Sequence, residues 1–344
     1  MKTFAILVVV ACSSNRTPPP PAPAAAPPPK PPVVAATPKH GTVRTERFQS
    51  AALGVEKQYL VYLPADYDAN PSARYPVFYY LHGLTGNETN WTKLGHLDAA
   101  ADSLGLQAIV VMPDGDDGFY ADALSHADYD KCMKDGTGLF VPGVQPRPST
   151  CVRKRNYETY IVKDLIAEVD GKFRTIAKRE GRAIAGLSMG GFGALELSMR
   201  HPDLFAAAAS HSGVDSLLYA GPWPYKPGKV ELLKDPSEWG RGVAEIGVWV
   251  RGIFGKDLKR WREYDPTTLV AKLQPGALAL YLDCGTEDGF LLHNGATYLH
   301  DLLTERKIDH EFFLGPGQHD FAFWTARVPK SLAFLAAHTA KPTS

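Results

Sequence analysis

Hydrophobic and polar positions divide this chain into two kinds of alternating segment. Short, largely apolar runs occur at Val77–Leu81, Ala108–Met112, Arg182–Leu187, Ala206–Ser210, Ala279–Asp283 and Glu311–Leu314. A run such as Ala108-Ile109-Val110-Val111-Met112 has the length of a strand and is apolar throughout, as a strand covered on both faces must be. Thr45–Ser50 and Lys57–Leu63, separated by Ala51 to Glu56, predict an antiparallel hairpin. Helical segments lie between the later strands. The clearest runs from Tyr157 to Phe173, where Tyr157, Ile161, Leu165, Val169 and Phe173 recur at every fourth position and Lys163, Asp164, Glu168 and Lys172 take the polar face. This alternation predicts an α/β fold with a mostly parallel, eight-stranded sheet flanked by helices.

Two long segments break the pattern, Gly118 to Asn156 and Gly213 to Arg262. Loops this long in a compact domain usually carry function, and insertions at the carboxyl ends of strands in an α/β sheet surround the active site. Both are therefore expected to wall a substrate cleft. Trp223, Tyr225, Trp239, Trp249 and Trp261 of the second are candidates either to line a sugar or aryl pocket or to pack the insertion itself.

The sharpest chemical signal is Gly186-Leu187-Ser188-Met189-Gly190-Gly191, a Gly-x-Ser-x-Gly directly after a strand and before the helical stretch Phe192–Arg200. A serine on a tight strand-to-helix turn needs small neighbours so that strand and helix can approach, and the helix N-terminus favours developing negative charge. Ser188 is thus the candidate nucleophile. A serine needs a base and an orienting acid, which follow it in that order of acid then His in such folds. The strand Ala279–Asp283 runs into an acidic turn offering Asp283, Glu287 and Asp288. Asp288, beyond Gly285, is placed to swing toward the cleft and is the preferred acid. His319, in the loop Gly315-Pro316-Gly317-Gln318-His319 after the last strand, is the candidate base; His293, His300 and His310 lie in helical or strand-entry surroundings. Two backbone N–H groups should form an oxyanion hole, that of Met189 after the nucleophile and that of Leu84 in Leu81-His82-Gly83-Leu84-Thr85-Gly86. His82 is read as bracing that loop.

Composition narrows the setting. Lys+Arg and Asp+Glu balance at 37 each, which gives no reason to expect a nucleic-acid partner. No His-x-x-x-His or similar ligand cluster points to a metal, and no cofactor is expected. Residues 1–11 read as a short lipoprotein-type signal, with Lys2 as its positive end, and Val9-Val10-Ala11-Cys12 resembles a lipobox, making Cys12 the candidate lipidation site. Residues 12–41 follow as a tether with eleven prolines between Pro18 and Pro38, which favours extended polyproline structure over a packed core. The layout predicts an exported protein, lipid-anchored to a bacterial membrane, with its catalytic domain at 42–344. In an oxidising compartment Cys132 and Cys151, flanking a Gly/Pro-rich stretch, are expected to pair, stabilising by roughly 3 kcal/mol under the loop-entropy estimate. Cys284 reads as a small core residue.

The residues Tyr79 to Trp91, Arg182 to Gly191 and His319-Asp320-Phe321-Ala322-Phe323-Trp324 resemble the esterase D family of α/β-hydrolases, which includes feruloyl and acetyl esterase domains, S-formylglutathione hydrolases and mycolyltransferases. Met112-Pro113-Asp114-Gly115 and Phe254-Gly255-Lys256-Asp257 are similar to family patterns too, so the resemblance runs from about residue 44 to 338. It implies Ser188, Asp288 and His319 as a triad, with Leu84 and Met189 as oxyanion donors, and a serine esterase acting through an acyl-enzyme. Asn87 to Trp91 resembles the feruloyl branch, whereas the formylglutathione branch usually carries Cys where Gly86 stands. The expected substrate is an extracytoplasmic ester, sugar-linked acyl or feruloyl. The alternatives are acyl transfer of the mycolyltransferase type, a formylglutathione-type thioesterase, and a binding lipoprotein without catalysis. The Cys132–Cys151 insertion departs from the family pattern.

Overall fold

The computed structural model describes residues 40–240 and 243–343. The expected signal, tether and Cys12 lie outside the described residues. Strands β1 (Thr42–Ser50) and β2 (Val55–Leu63) form the predicted antiparallel hairpin. They are followed by β3 (Val77–Leu81), β4 (Ile109–Pro113), β5 (Arg182–Leu187) and β6 (Ala207–His211). A separate small pair, β7 (Tyr219–Gly221) and β8 (Glu231–Leu232), precedes β9 (Ala279–Gly285) and β10 (His310–Gly315). The main sheet has eight strands in the order β1-β2-β4-β3-β5-β6-β9-β10, parallel from β4 onward.

Period-two alternation sorts the side chains of each central strand onto two faces. Val77, Tyr79 and Leu81 share a core with the helices carrying Tyr157–Val169 and Phe192–Leu197. Phe78 and Tyr80 share the other with the helices Leu97–Ser103 and Phe321–Ala337. Every residue of β3, β4, β5 and β6 is buried, which is why these read as largely apolar runs, with Arg182, Ser210 and His211 as buried polar members at their ends.

Sequence and structure part where burial stops dictating the pattern. β1 begins three residues before the expected Thr45, because this edge strand is exposed and its start is fixed by pairing with β2, Thr42 opposite Leu63. The two long insertions are also not structureless: the first holds the helix Tyr129–Asp135, and the second holds Ala244–Phe254 and the start of Leu258–Tyr264. The stretch 157–172 is helical as expected, but its middle, Tyr160–Leu165, is a π-helical turn. On a regular α-helix a strict fourth-residue stripe drifts around the axis, since a turn takes 3.6 residues. The wider π turn rotates the stripe back, and all five of its residues are buried.

Candidate functional site

Ser188 stands between the end of β5 and the helix Met189–Arg200, with φ 54 and ψ −117. A left-handed φ strains a residue with a side chain, and it persists only where the surroundings fix it. Here they do. A side chain at Gly186 would lie 2.2 Å from the Gly190 carbonyl oxygen, and one at Gly190 would lie 2.4 Å from that of Leu81. Small residues let strand, turn and helix close on one another. The Ser188 N–H also donates to the His211 carbonyl at 2.9 Å, pinning the turn to β6.

The loop after β10 brings His319 onto this serine. Its Nε2 lies 2.9 Å from Ser188 Oγ, and its Nδ1 lies 2.6 Å from Asp288 Oδ2. A carboxylate can only accept, so Nδ1 carries the proton and Nε2 is left to accept the serine hydroxyl. Asp288 is buried, its Oδ1 accepting the Phe290 N–H at 2.8 Å. The imidazole is held edge-to-face between Phe290, at 4.8 Å, and Trp324, at 5.0 Å between centroids. Of the other two carboxylates of the acidic turn, Glu287 is exposed to solvent. Asp283 accepts from His211 Nδ1, Tyr281 OH and Arg327 Nε, away from His319.

Leu84 and Met189 line the same cavity as Ser188. Met189 is the first helical residue, so its N–H has no intrahelical acceptor. The Leu84 N–H is aimed indirectly. Its peptide plane is shared with the Gly83 carbonyl, which accepts from His82 Nδ1 at 2.8 Å and from the Gly86 N–H at 3.0 Å. Because a trans peptide is planar, holding the carbonyl on that side turns the Leu84 N–H the opposite way. His82 is itself fixed, its Nε2 accepting the Gly115 N–H at 2.9 Å, and it is a bracing residue as its sequence context predicts.

The cavity measures about 770 Å³ and is lined mostly by apolar side chains, within the range of sites that enclose drug-sized ligands. The second insertion supplies much of its wall, including Tyr219, Trp223, Trp239 and Ile246, while the first gives Phe119 and Phe140. Both long segments therefore contribute side chains to the cavity wall. The aromatic candidates divide between the two roles: Trp223 and Trp239 line the cavity, whereas Trp261 is a core residue, Trp249 donates to the Asp117 carbonyl at 2.6 Å, and Tyr225 packs against Tyr219 and Tyr298. Cys132 and Cys151 form a disulfide. Cys284 is buried, which pushes its thiol pKa up, and its Sγ is 3.7 Å from Asp288 Oδ2.

Sequence reasoning missed the groups that steady the oxyanion loop from a distance. Asp117 Oδ1 accepts the Thr85 N–H at 2.6 Å, and Gln145 Nε2 donates to the Thr85 carbonyl at 3.3 Å. Neither carries a local signal, since each acts across more than thirty residues of chain. Asp215, also on the cavity wall, was missed too. Burial raises its carboxyl to about 7, against a hydrogen bond from Ser210 Oγ.

The fold and the arrangement around Ser188 define an α/β-hydrolase. The chain belongs to the esterase family: a family model described as putative esterase matches residues 50–335. An esterase of Mycobacterium tuberculosis is 35% identical over 172 residues, half of this chain but only 32% of that protein. The S-formylglutathione hydrolase of Rattus norvegicus is 26% identical over 287 residues, covering 82% of this chain and 89% of the rat enzyme. Among solved structures, a ferulic acid esterase superposes with a TM-score of 0.63 at 22% identity, covering 88% of this chain and 99% of that one.

Proposed function

We propose that this protein is an exported serine carboxylic ester hydrolase working through an acyl-enzyme on carbohydrate-linked acyl or feruloyl esters. The observation that carries the reading is the continuous hydrogen-bonded chain from Ser188 Oγ through His319 to Asp288 Oδ2, with its serine end on the cavity wall. In this reading Ser188 Oγ attacks the ester carbonyl carbon while its proton passes to His319 Nε2. Asp288 holds the imidazole in the right tautomer and balances the imidazolium. The N–H groups of Leu84 and Met189 take the charge that develops on the carbonyl oxygen. The bond to the alcohol breaks as His319 returns the proton to the departing oxygen. Water then attacks the acyl-enzyme, gives its proton to His319, and frees the acid as Ser188 recovers its hydrogen.

An aryl acyl group suits the cavity: Trp223, Trp239 and Phe290 offer ring faces and edges around an apolar space far larger than an acetyl group fills. The names of a ferulic acid esterase and an S-formylglutathione hydrolase among its likenesses support ester and thioester chemistry of this class. Export and lipid anchoring rest on the lipobox-like Val9-Val10-Ala11-Cys12 and the proline tether. Turnover of p-nitrophenyl acetate by the wild type, absent in Ser188→Ala, tests the nucleophile; equal rates would remove it. A panel of methyl ferulate, acetylated xylan and short aryl esters tests the substrate class, with methyl ferulate expected to give the highest kcat/KM. Ester products appearing on addition of a sugar alcohol would favour acyl transfer instead.

A further inference from the structure

Thr85 follows the proposed oxyanion donor Leu84 and has a φ of 64, a strained value for a β-branched residue. The turn closed by the Gly86 N–H on the Gly83 carbonyl at 3.0 Å places Thr85 at the position that takes a positive φ. Both peptide groups flanking Thr85 are also gripped from outside the loop. Asp117 Oδ1 accepts its N–H at 2.6 Å, and Gln145 Nε2 donates to its carbonyl at 3.3 Å. Gln145 also accepts, through Oε1, from Asn87 Nδ2 at 2.9 Å, so a single side chain bridges two points of the loop.

Gln145 lies inside the segment closed by the Cys132–Cys151 disulfide. That segment is mostly exposed from Thr137 to Thr150 and has little burial of its own to hold it. Its attachments are specific instead. The Ser149 carbonyl accepts from the buried Lys57 Nζ at 2.6 Å, and Lys57 is ion-paired with Asp114 and Asp116. Phe140 packs against Trp249, with ring centroids 5.5 Å apart, and Trp249 Nε1 donates to the Asp117 carbonyl. The covalent link, the buried lysine and the Trp249 contact therefore converge on the two side chains that hold Thr85.

We propose that the disulfide-closed insertion positions the oxyanion loop, with Asp117 holding the Leu84–Thr85 peptide and Gln145 the Thr85–Gly86 peptide, as positioning residues that fix the turn so that the Leu84 N–H, one peptide upstream, meets the developing oxyanion. The proposal rests on the esterase reading above. Complete loss of one oxyanion donor typically costs about 10²–10³ in rate. Loosening it should cost less, and the loss should fall on kcat because the contact strengthens in the transition state.

The test compares wild type, Gln145→Ala and the double variant Cys132→Ser/Cys151→Ser on p-nitrophenyl acetate. Phenylboronic acid, which forms a tetrahedral anionic adduct on an active serine, serves as the second readout. Gln145→Ala is expected to lower kcat about tenfold with KM within twofold, and to weaken boronate inhibition by a similar factor. The double variant is expected to do the same or more at an unchanged far-UV spectrum. If the double variant fails to fold, Gln145→Ala, a partly exposed side chain, still decides. Wild-type turnover that is lost in Ser188→Ala but stays within twofold in Gln145→Ala, with boronate inhibition unchanged, would overturn the positioning role alone. A loss confined to KM would overturn it as well. Turnover that survives Ser188→Ala would instead overturn the esterase reading beneath it.

Discussion

Ser188, His319 and Asp288 have a near copy elsewhere in the same protein. Ser331 Oγ lies 2.8 Å from His211 Nε2, and His211 Nδ1 lies 2.9 Å from Asp283 Oδ2. The same three residue types are joined through the same ring nitrogens at almost the same distances. What differs is everything around them. Ser331 sits within the helix Phe321–Ala337, its hydroxyl shared with Tyr80 OH at 2.9 Å and the Val328 carbonyl at 3.1 Å, and it is fully buried with His211 and Asp283. Ser188 sits on a strained turn at a helix N-terminus, beside a cavity and two N–H donors. Asp283 is also met by Arg327 Nε at 3.1 Å and Tyr281 OH at 2.8 Å, so its charge is neutralised where it stands. A hydrogen-bonded Ser–His–Asp chain is therefore no evidence of nucleophilic chemistry by itself. It becomes a candidate for it when the serine can meet a carbonyl carbon and the oxyanion can meet a donor. The buried chain instead ties β3, β6, β9 and the last helix together in the core beneath the site.

That comparison can be broken by exchanging losses between the two chains. The largest effect is expected from Ser188→Ala, a fall in kcat of about 10⁴-fold or more in steady-state ester hydrolysis, since serine hydrolases lose most of their rate with the nucleophile. Ser331→Ala should leave kcat within about threefold; a comparable fall there would mean that the two chains are not functionally distinct. Next comes Asp288→Asn, expected to lower kcat by about 10⁴ by favouring the wrong His319 tautomer. Asp283→Asn should spare most of the rate and cost about 3 kcal/mol of stability, because it strips a buried, hydrogen-bonded charge from Arg327; urea denaturation measures this. Ser331→Ala should cost about 1–2 kcal/mol, leaving His211 Nε2 and Tyr80 OH without their partner.

The smallest effect is one of pH. Asp215 lies between the two chains, on the cavity wall, with the Asp283 charge adding to the burial that raises its carboxyl to about 7. Below its ordinary value of 3.8 the group is protonated in both folded and unfolded chains. From there up to about 7 the unfolded chain releases the proton while the folded chain keeps it, so stability falls as pH rises across that window. Asp215→Asn should flatten the urea stability profile between pH 4 and 7 and make no difference at pH 3. An unchanged slope would mean that Asp215 is charged in the fold.

The sheet was legible because its central strands are covered on both faces, so each reads as an apolar run whose ends are set by turns. The Tyr157 stripe was legible for the same reason, although its π turn was not: one extra residue in a turn leaves no mark on an apolar pattern that it restores. The helix Ala244–Phe254 was readable in principle, with Ile246, Val250, Ile253 and Phe254 on a helical period, but lay within a segment assigned to loop by its length. Hydropathy ended β6 one residue early because His211 is a polar residue paired with Asp283 inside the core, while β9 runs two residues past the expected Asp283 to Gly285.

Local sequence thus determined the turn at Ser188 in part, since the glycine at 186 is demanded by the Gly190 carbonyl four residues on, whereas that at 190 is demanded by the distant Leu81 carbonyl. It also determined the order of elements, which follows from burial period and turn chemistry. Which carboxylate meets which histidine was a different matter. Asp283 and Asp288 lie five residues apart on one strand-turn; the return of the last loop assigns Asp288 to His319, and the pairing of β6 with β9 assigns Asp283 to His211. The same holds for Asp117 and Gln145, whose hold on Thr85 exists only once distant segments have packed. Hydrogen bonds between groups far apart in sequence depend on angstrom-level placement that no local pattern encodes, so tertiary structure alone decided them.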